Sequence, residues 1–217
     1  MQPTPELLGR RYAPDARDQR HTMRSLMAWT RPTLPLFRFW LPGPITEQTG
    51  PHCVGHAWWQ YLTASPLRTV SGPPPRVIYE EAQRVDEWDG ENYDGTSVRA
   101  GAKVIEASGY ITEYVWAHDG PTVRDWILGH GPVVLGTDWT NDMFDPDAEG
   151  YLHPSGGSVG GHAYVATGYS AKRRAFRIVN SWGTAWGDAG RAWIREGDMD
   201  SLIRGMGEAC AAIQVRL

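Results

Sequence analysis

Lysine and cysteine are the scarce residues of this chain. Of its 21 cationic side chains only Lys103 and Lys172 are lysine, and the rest are arginine. Two cysteines, Cys53 and Cys210, allow at most one disulfide, so the chain is no disulfide-stapled scaffold and a reducing compartment such as the cytoplasm is expected. No stretch approaches the ~20 consecutive apolar residues of a membrane helix, and the first twenty residues contain no hydrophobic signal core. Neither a membrane partner nor classical secretion is expected. Helix-turn-helix, zinc-finger and RNA-binding signatures are also missing, so no nucleic-acid partner is expected.

What is present is a chain of 217 residues, 41% hydrophobic and 21% charged, long enough to bury a sizeable core in one large domain or two small lobes. The net charge of −4 conceals an uneven split. The first forty residues carry seven arginines against Glu6, Asp15 and Asp18, a net +4, which leaves −8 for the rest. A basic leader on an acidic body is expected to dock on that body. Residues 1–45 form this Pro/Arg-rich extension. The four prolines from Pro32 to Pro44 fix φ and remove donors, which predicts an extended segment wrapping the surface.

Beyond the leader the pattern is helical, then strand-like. From Cys53 onward, Val54, Ala57, Trp58, Tyr61 and Leu62 fall at helical spacing, up to an end near Pro66. A second helix is expected over residues 76–88. A third starts at Thr96 or Ser97 and stops at Gly109, and a short fourth covers residues 123–128 with Thr122 as its cap. Strands are expected at residues 132–139, 162–169, 175–181, 191–195 and 209–216. This order predicts an α+β architecture in residues 46–217, with a helical lobe over about 46–130, an antiparallel β lobe over about 131–217 and a cleft between them.

Cys53 stands where chemistry is favoured. It follows Gly50-Pro51-His52 and opens the first amphipathic helix, where unpaired N–H groups and the helix dipole stabilise a thiolate. A lone cysteine of this kind also reads as a half-buried structural residue. His162 opens a strand after Gly160-Gly161, and eighteen residues later Asn180 ends another. A histidine that shares a proton with a thiol needs a third group to fix its ring, and a side-chain amide supplies that.

At these residues the chain resembles the papain-like cysteine peptidases. The segment Gln48-Thr-Gly-Pro-His-Cys53-Val-Gly-His-Ala-Trp58 is similar to the family's nucleophile segment. Gly161-His162-Ala163 followed by Gly168-Tyr169 resembles its histidine strand. Most specific is Asn180-Ser-Trp-Gly-Thr-Ala-Trp-Gly187, close to the family's Asn-Ser-Trp-Gly-x-x-Trp-Gly. The resemblance spans roughly residues 45–217. It implies a two-lobed papain-like fold and peptide-bond hydrolysis through a thioester. Cys53 would be nucleophile, His162 base and then acid, and Asn180 the group that orients the imidazole, with Trp182 shielding their hydrogen bond. The oxyanion would be held by the Cys53 N–H and the side chain of Gln48. Gly95, Thr96, the Gly161 carbonyl and Trp182 would lie at the substrate site. A peptide or protein substrate is implied, with no metal and no organic cofactor.

Three departures stand out. The family's oxyanion glutamine stands six residues before the cysteine, where this chain has Glu47, and Gln48 is fifth. The cysteines of the secreted members' disulfides are absent. The leader is too short for the family's helical inhibitory propeptide and looks more like those of prokaryotic or phage relatives, so control by zymogen cleavage is not expected. The same acyl-transfer chemistry would serve a transpeptidase or amidase, and the fold would serve a non-catalytic binding or assembly protein. Other clusters read as structural. His52, Cys53 and His56 lack a fourth zinc ligand of matched spacing. Asp142, Asp145, Asp147 and Glu149 read as a solvated acidic loop whose glycine-rich end, Gly156 to Gly161, would let it move as a lid. Trp139 leaves its strand just before that loop, at the edge of the expected cleft.

Overall fold

The computed structural model describes residues 2–30, 33–69 and 71–214. In chain order the regular elements are α1 (Met23–Thr30), β1 (Phe37–Phe39), α2 (Cys53–Thr63), α3 (Pro75–Val85), α4 (Val98–Ala107), β2 (Ile111–Ala117), α5 (Gly120–Gly129), β3 (Val133–Thr140), β4 (Ser158–Ser170), β5 (Ala175–Val179), β6 (Arg191–Arg195), α6 (Glu196–Arg204) and β7 (Glu208–Gln214). The strands form one antiparallel sheet in the order β2-β7-β3-β4-β5-β6, with β1 paired to the far half of β4.

The central element is α2. Cys53, Val54, Ala57, Trp58, Tyr61 and Leu62 are all buried, so the helix is apolar nearly all round, as expected of one enclosed by neighbours. It packs against α3 and α4 on one side and β3 and β4 on the other. Close approach depends on two residues without side chains. A Cβ at Gly55 would lie 2.1 Å from the Pro75 carbonyl oxygen, and one at Gly101 would lie 2.2 Å from the Trp58 ring. The Trp58 indole N–H donates to the Val98 carbonyl, and the Ala212 N–H donates to the Tyr61 hydroxyl, tying α2 to α4 and β7.

Helix starts follow side-chain caps. Ser97 accepts from the Ala100 N–H and caps α4. The short fourth helix is longer than expected: α5 begins at Gly120, and its cap is Asp119 rather than Thr122. Gly120-Pro121 opens that helix because proline is accommodated in a first turn, where its missing N–H has no partner to lose. Residues 215–216 of the last expected strand lie outside the described residues.

The leader does more than wrap the surface. It includes α1 on α5 and β2, and β1 as an added strand. Its acid Asp18 is buried against the Arg99 guanidinium in a two-pronged ion pair, while Arg10 is buried against Glu208. Buried pairs of this kind are costly to split, since one partner is then left as an unpaired charge.

Candidate active site

Cys53 is the first residue of α2 and has no exposed surface. Backbone N–H groups of Ala163, Gly9 and Val54 point at its sulfur. Ala163 follows His162 on β4, so the sheet brings the imidazole beside the helix that carries the thiol. His162, also fully buried, donates from Nε2 to Asn180 Oδ1 over 2.8 Å. The same oxygen accepts the Ser181 N–H, also at 2.8 Å, and two donors on one atom fix which end of the amide faces the ring. Nε2 therefore carries the ring proton. Nδ1, buried and without a hydrogen bond, is left as the acceptor for a thiol proton.

Trp182 stacks on the imidazole with ring centroids 4.7 Å apart and planes 25° apart. Trp139 meets the same ring edge-on at 4.8 Å, and the two indoles are 5.2 Å apart. Both indoles are buried, so they shield the His162–Asn180 bond from water. Trp182 thus stacks on the His162 ring, and Trp139 is fully buried at that ring's edge rather than exposed at the edge of the cleft. The role of Trp139 was not legible in the sequence, since nothing local distinguishes an indole on an imidazole from one in the core.

Gln48, the expected oxyanion residue, is buried. Its Nε2 donates to two carbonyls, those of Leu7 and Gly50, each at 2.7 Å, and its Oε1 accepts the Ser181 hydroxyl. Glu47 lies elsewhere: its carboxylate is against Gly183, and its backbone pairs with Trp182. Of the two, it is the Gln48 side chain that lies beside the leader and the loop before Cys53. If an oxyanion forms there, Gln48→Ala should lower kcat by about 10²–10³ with little change in KM, as measured on a peptide substrate.

The cleft is filled by the chain's own leader, which sequence reasoning placed on the body but not here. The Arg10 N–H donates to the Gly161 carbonyl, the Thr96 N–H to the Gly9 carbonyl and the Arg11 N–H to the Thr96 carbonyl, each at 2.9 Å. Leader and Thr96 run parallel. A Cβ at Gly95 would lie 2.3 Å from the Gly9 carbonyl oxygen, so the bare backbone there, at φ +87°, is what lets the leader in. Gly95, Thr96 and Gly161 thus meet a peptide backbone, and Gln48 meets the Leu7 carbonyl.

Electrostatics follow from this closure. Burial pushes the Cys53 thiol up to about 11, against the opposing pull of the three N–H groups. Burial lowers His162 to about 4, with the Asn180 bond working the other way. Beneath the leader the pair is a neutral thiol and a neutral imidazole. His56 is also held neutral by burial, with Nδ1 against the Thr46 hydroxyl. Among the described residues, no group of three or more His, Cys, Asp or Glu side chains is arranged to hold a metal ion.

A helix with a thiol at its N-terminus thus packs on a sheet that carries an imidazole bonded to a side-chain amide. The chain belongs to the papain family of cysteine proteases, which it matches over residues 78–210, a span that includes His162 and Asn180 and begins after Cys53. It is 24% identical over 178 residues to the cathepsin B-like cysteine proteinase 3 of Caenorhabditis elegans, covering 80% of this chain and 44% of that protein. A cathepsin B-like cysteine proteinase of Schistosoma japonicum is 35% identical over 66 residues, covering 30% of this chain and 19% of that protein. The chain thus spans less than half the length of these curated relatives. In fold it is similar to xylellain, a cysteine protease from Xylella fastidiosa, with a TM-score of 0.72 at 21% identity over 100% of both chains. The proform of the ragweed pollen cysteine protease Amb a 11 gives 0.61 at 16% identity, covering 86% of this chain and 67% of that one. The expected α+β papain-like fold is therefore the fold of this chain.

Proposed function

We propose that the chain is a cysteine peptidase that its own leader holds latent. The observation that carries this is the convergence on one cleft of Cys53, His162 bonded to Asn180, and the Gln48 amide, with a peptide backbone already lying across them.

Once the leader departs, water reaches the pair and the desolvation that keeps both groups neutral is relieved. The thiol proton passes to His162 Nδ1, and the thiolate is stabilised by the N-terminus of α2 and by the imidazolium. Attack on a peptide carbonyl carbon places the oxyanion between the Cys53 N–H and Gln48 Nε2. Collapse breaks the C–N bond, and the imidazolium returns its proton to the leaving amine. Water, deprotonated by His162, then attacks the thioester carbon and releases the carboxylate and the thiol.

The leader itself is held in a way that does not react. What faces the sulfur is the Gly9 N–H, a donor rather than a carbonyl carbon. The carbonyl held by Gln48 belongs to Leu7, in a different peptide unit.

Digestion of an unfolded protein in ¹⁸O-water tests the reading. Hydrolysis should place ¹⁸O from the solvent in each new carboxyl terminus, detected by mass spectrometry. Products joined to an added amine instead of ¹⁸O would identify a transferase. No cleavage at all after the leader has been displaced would overturn the proposal.

A further inference from the structure

One stripe of α2 departs from its apolar surroundings. Cys53, His56 and Gln60 stand at i, i+3 and i+7, so they share one face of the helix. The first is the thiol of the candidate site. The other two are also buried, and neither takes part in the acyl transfer. Gln60 Nε2 donates to the Asn180 main-chain carbonyl at 3.0 Å and to Thr46 Oγ1 at 3.2 Å. A carbonyl only accepts, so the nitrogen end of the Gln60 amide faces it. Thr46 Oγ1 in turn lies 2.8 Å from His56 Nδ1, which ties His56 and Gln60 together through one hydroxyl.

What Gln60 holds is one end of a single peptide plane. The carbonyl of that plane belongs to Asn180, and its N–H is that of Ser181, which donates to Asn180 Oδ1. The same Oδ1 accepts from His162 Nε2. Because the plane is rigid, a grip on its oxygen fixes its N–H as well. Asn180 Nδ2 is buried without a partner, so the Ser181 N–H is what turns the side-chain amide toward the ring. Thr46 is itself stitched beyond that plane, with its carbonyl accepting the Gly183 N–H at 2.9 Å. The arrangement is costly. Gln60 Oε1 is buried with no hydrogen-bond partner, and burial lowers His56 to about 4. Apolar side chains of similar size would fill both places without stranding a polar atom. Packing therefore does not explain the stripe, whereas a fixed Ser181 N–H does.

Resting on the peptidase reading above, we propose that Gln60, seated by Thr46 and His56, is a positioning residue that sets the His162 ring through the Asn180–Ser181 peptide plane. The helix that presents the thiol thus also holds the group that orients its base. Two turns separate Cys53 from Gln60 on one rigid helix, so the sulfur and the imidazole keep their relative place even though they sit on different lobes. Without the Gln60 donor the plane is free to tilt, Oδ1 leaves the line of Nε2–H, and the proton on the ring loses its partner.

Two measurements test this. The first needs no catalysis and uses the full chain labelled with ¹⁵N-histidine. In Gln60→Met, which keeps the size and loses the donor, the His162 Nε2–H proton should exchange with water at least about 10-fold faster than in the wild type. The backbone amides of β4 should keep their rates, whereas a merely structural role would speed both together. The second is turnover of a peptide substrate, counted per reactive thiol: Gln60→Met should lower kcat about 10- to 30-fold and change KM less than about twofold. Thr46→Val should shift both readouts the same way, and Thr46→Ser, which keeps the hydroxyl, should stay within about twofold of the wild type. The Thr46 pair decides the matter if Gln60→Met does not fold. Unchanged Nε2–H exchange in Gln60→Met, or equal losses in Thr46→Ser and Thr46→Val, would overturn the proposal. Faster exchange in Gln60→Met, from a wild type that cleaves no peptide, would keep the positioning of the ring and remove the peptidase reading.

Discussion

Replacing Gly9 by valine should expose Cys53 and raise its alkylation rate about 10- to 100-fold. A Cβ on Gly9 would lie 1.9 Å from the Pro51 carbonyl oxygen and 2.5 Å from its carbon, distances that no side chain can hold. Pro51 cannot retreat, because it precedes the helix that presents the thiol. The strain therefore falls on the leader. Overpacking costs about 1–3 kcal/mol, and that shifts the seated-to-released equilibrium by one to two orders of magnitude. Cys210 does not confuse the measurement, since it is buried in β7 and burial raises its thiol well above the ordinary range.

The pH profile of that variant is equally informative. In the seated state the thiol is pushed up to about 11 and His162 down to about 4, so between those values both groups are neutral. Release moves a proton from sulfur to ring without exchange with solvent, so the pair makes leader release independent of pH near neutrality. The alkylation rate of Gly9→Val should reach its plateau by about pH 6. Adding His162→Ala should move the rise to that of a free thiol, near ~8.5. A Gly9→Val rate no greater than that of the wild type would mean that the leader does not guard the thiol.

How far the sequence led can be judged from individual elements. Helix α2 was legible because its apolar residues repeat at helical spacing and a proline follows, and α4 because Ser97 is a strong cap. By contrast, α6 was missed: only Met199 and Ile203 are buried along it, too few apolar residues to mark a helix against six polar or glycine neighbours. Strand β2 was missed as well, because Thr112 and Glu113 face solvent together at a register shift and break the alternation. Cys53, His162 and Asn180 could be singled out as candidates because each lies in a motif of unusual composition. Cys53 stands at the start of α2 and Asn180 just after β5, although His162 lies inside β4, which begins at Ser158 rather than at His162 as expected. The leader's course could not. Its charge indicated docking, but the partners of Arg10 and Asp18 are separated from them by 198 and 81 residues, and no local pattern encodes which acid meets which base. The burial of Glu208 was hidden for the same reason, since its place beside Arg10 follows only from the β3–β7 register.

Removing the sulfur should have the largest effect of any single change. In the Gly9→Val background, where the cleft is open, Cys53→Ala should lower peptide hydrolysis by about 10⁴- to 10⁶-fold. Gln48 and His162 remain, but with no atom to form the thioester they stabilise an oxyanion that nothing generates, and only a small residue of rate over water survives. The fold should persist, since alanine is smaller than cysteine and is a good helix former at the start of a helix held on all sides. Melting temperature and circular dichroism should therefore stay close to those of Gly9→Val while activity falls, and native-state alkylation should disappear with it. Cleavage retained above about one part in a hundred would mean that the chemistry does not pass through this thiol. Hydrolysis absent from both parent and variant, with the alkylation plateau still reached by about pH 6, would separate an activated nucleophile from its substrate and turn attention to the acyl acceptor. A thiol that stays unreactive below pH 8 even with the leader displaced would leave His162 and Asn180 as a structural pair, and the cleft as a site for holding a peptide rather than cutting one.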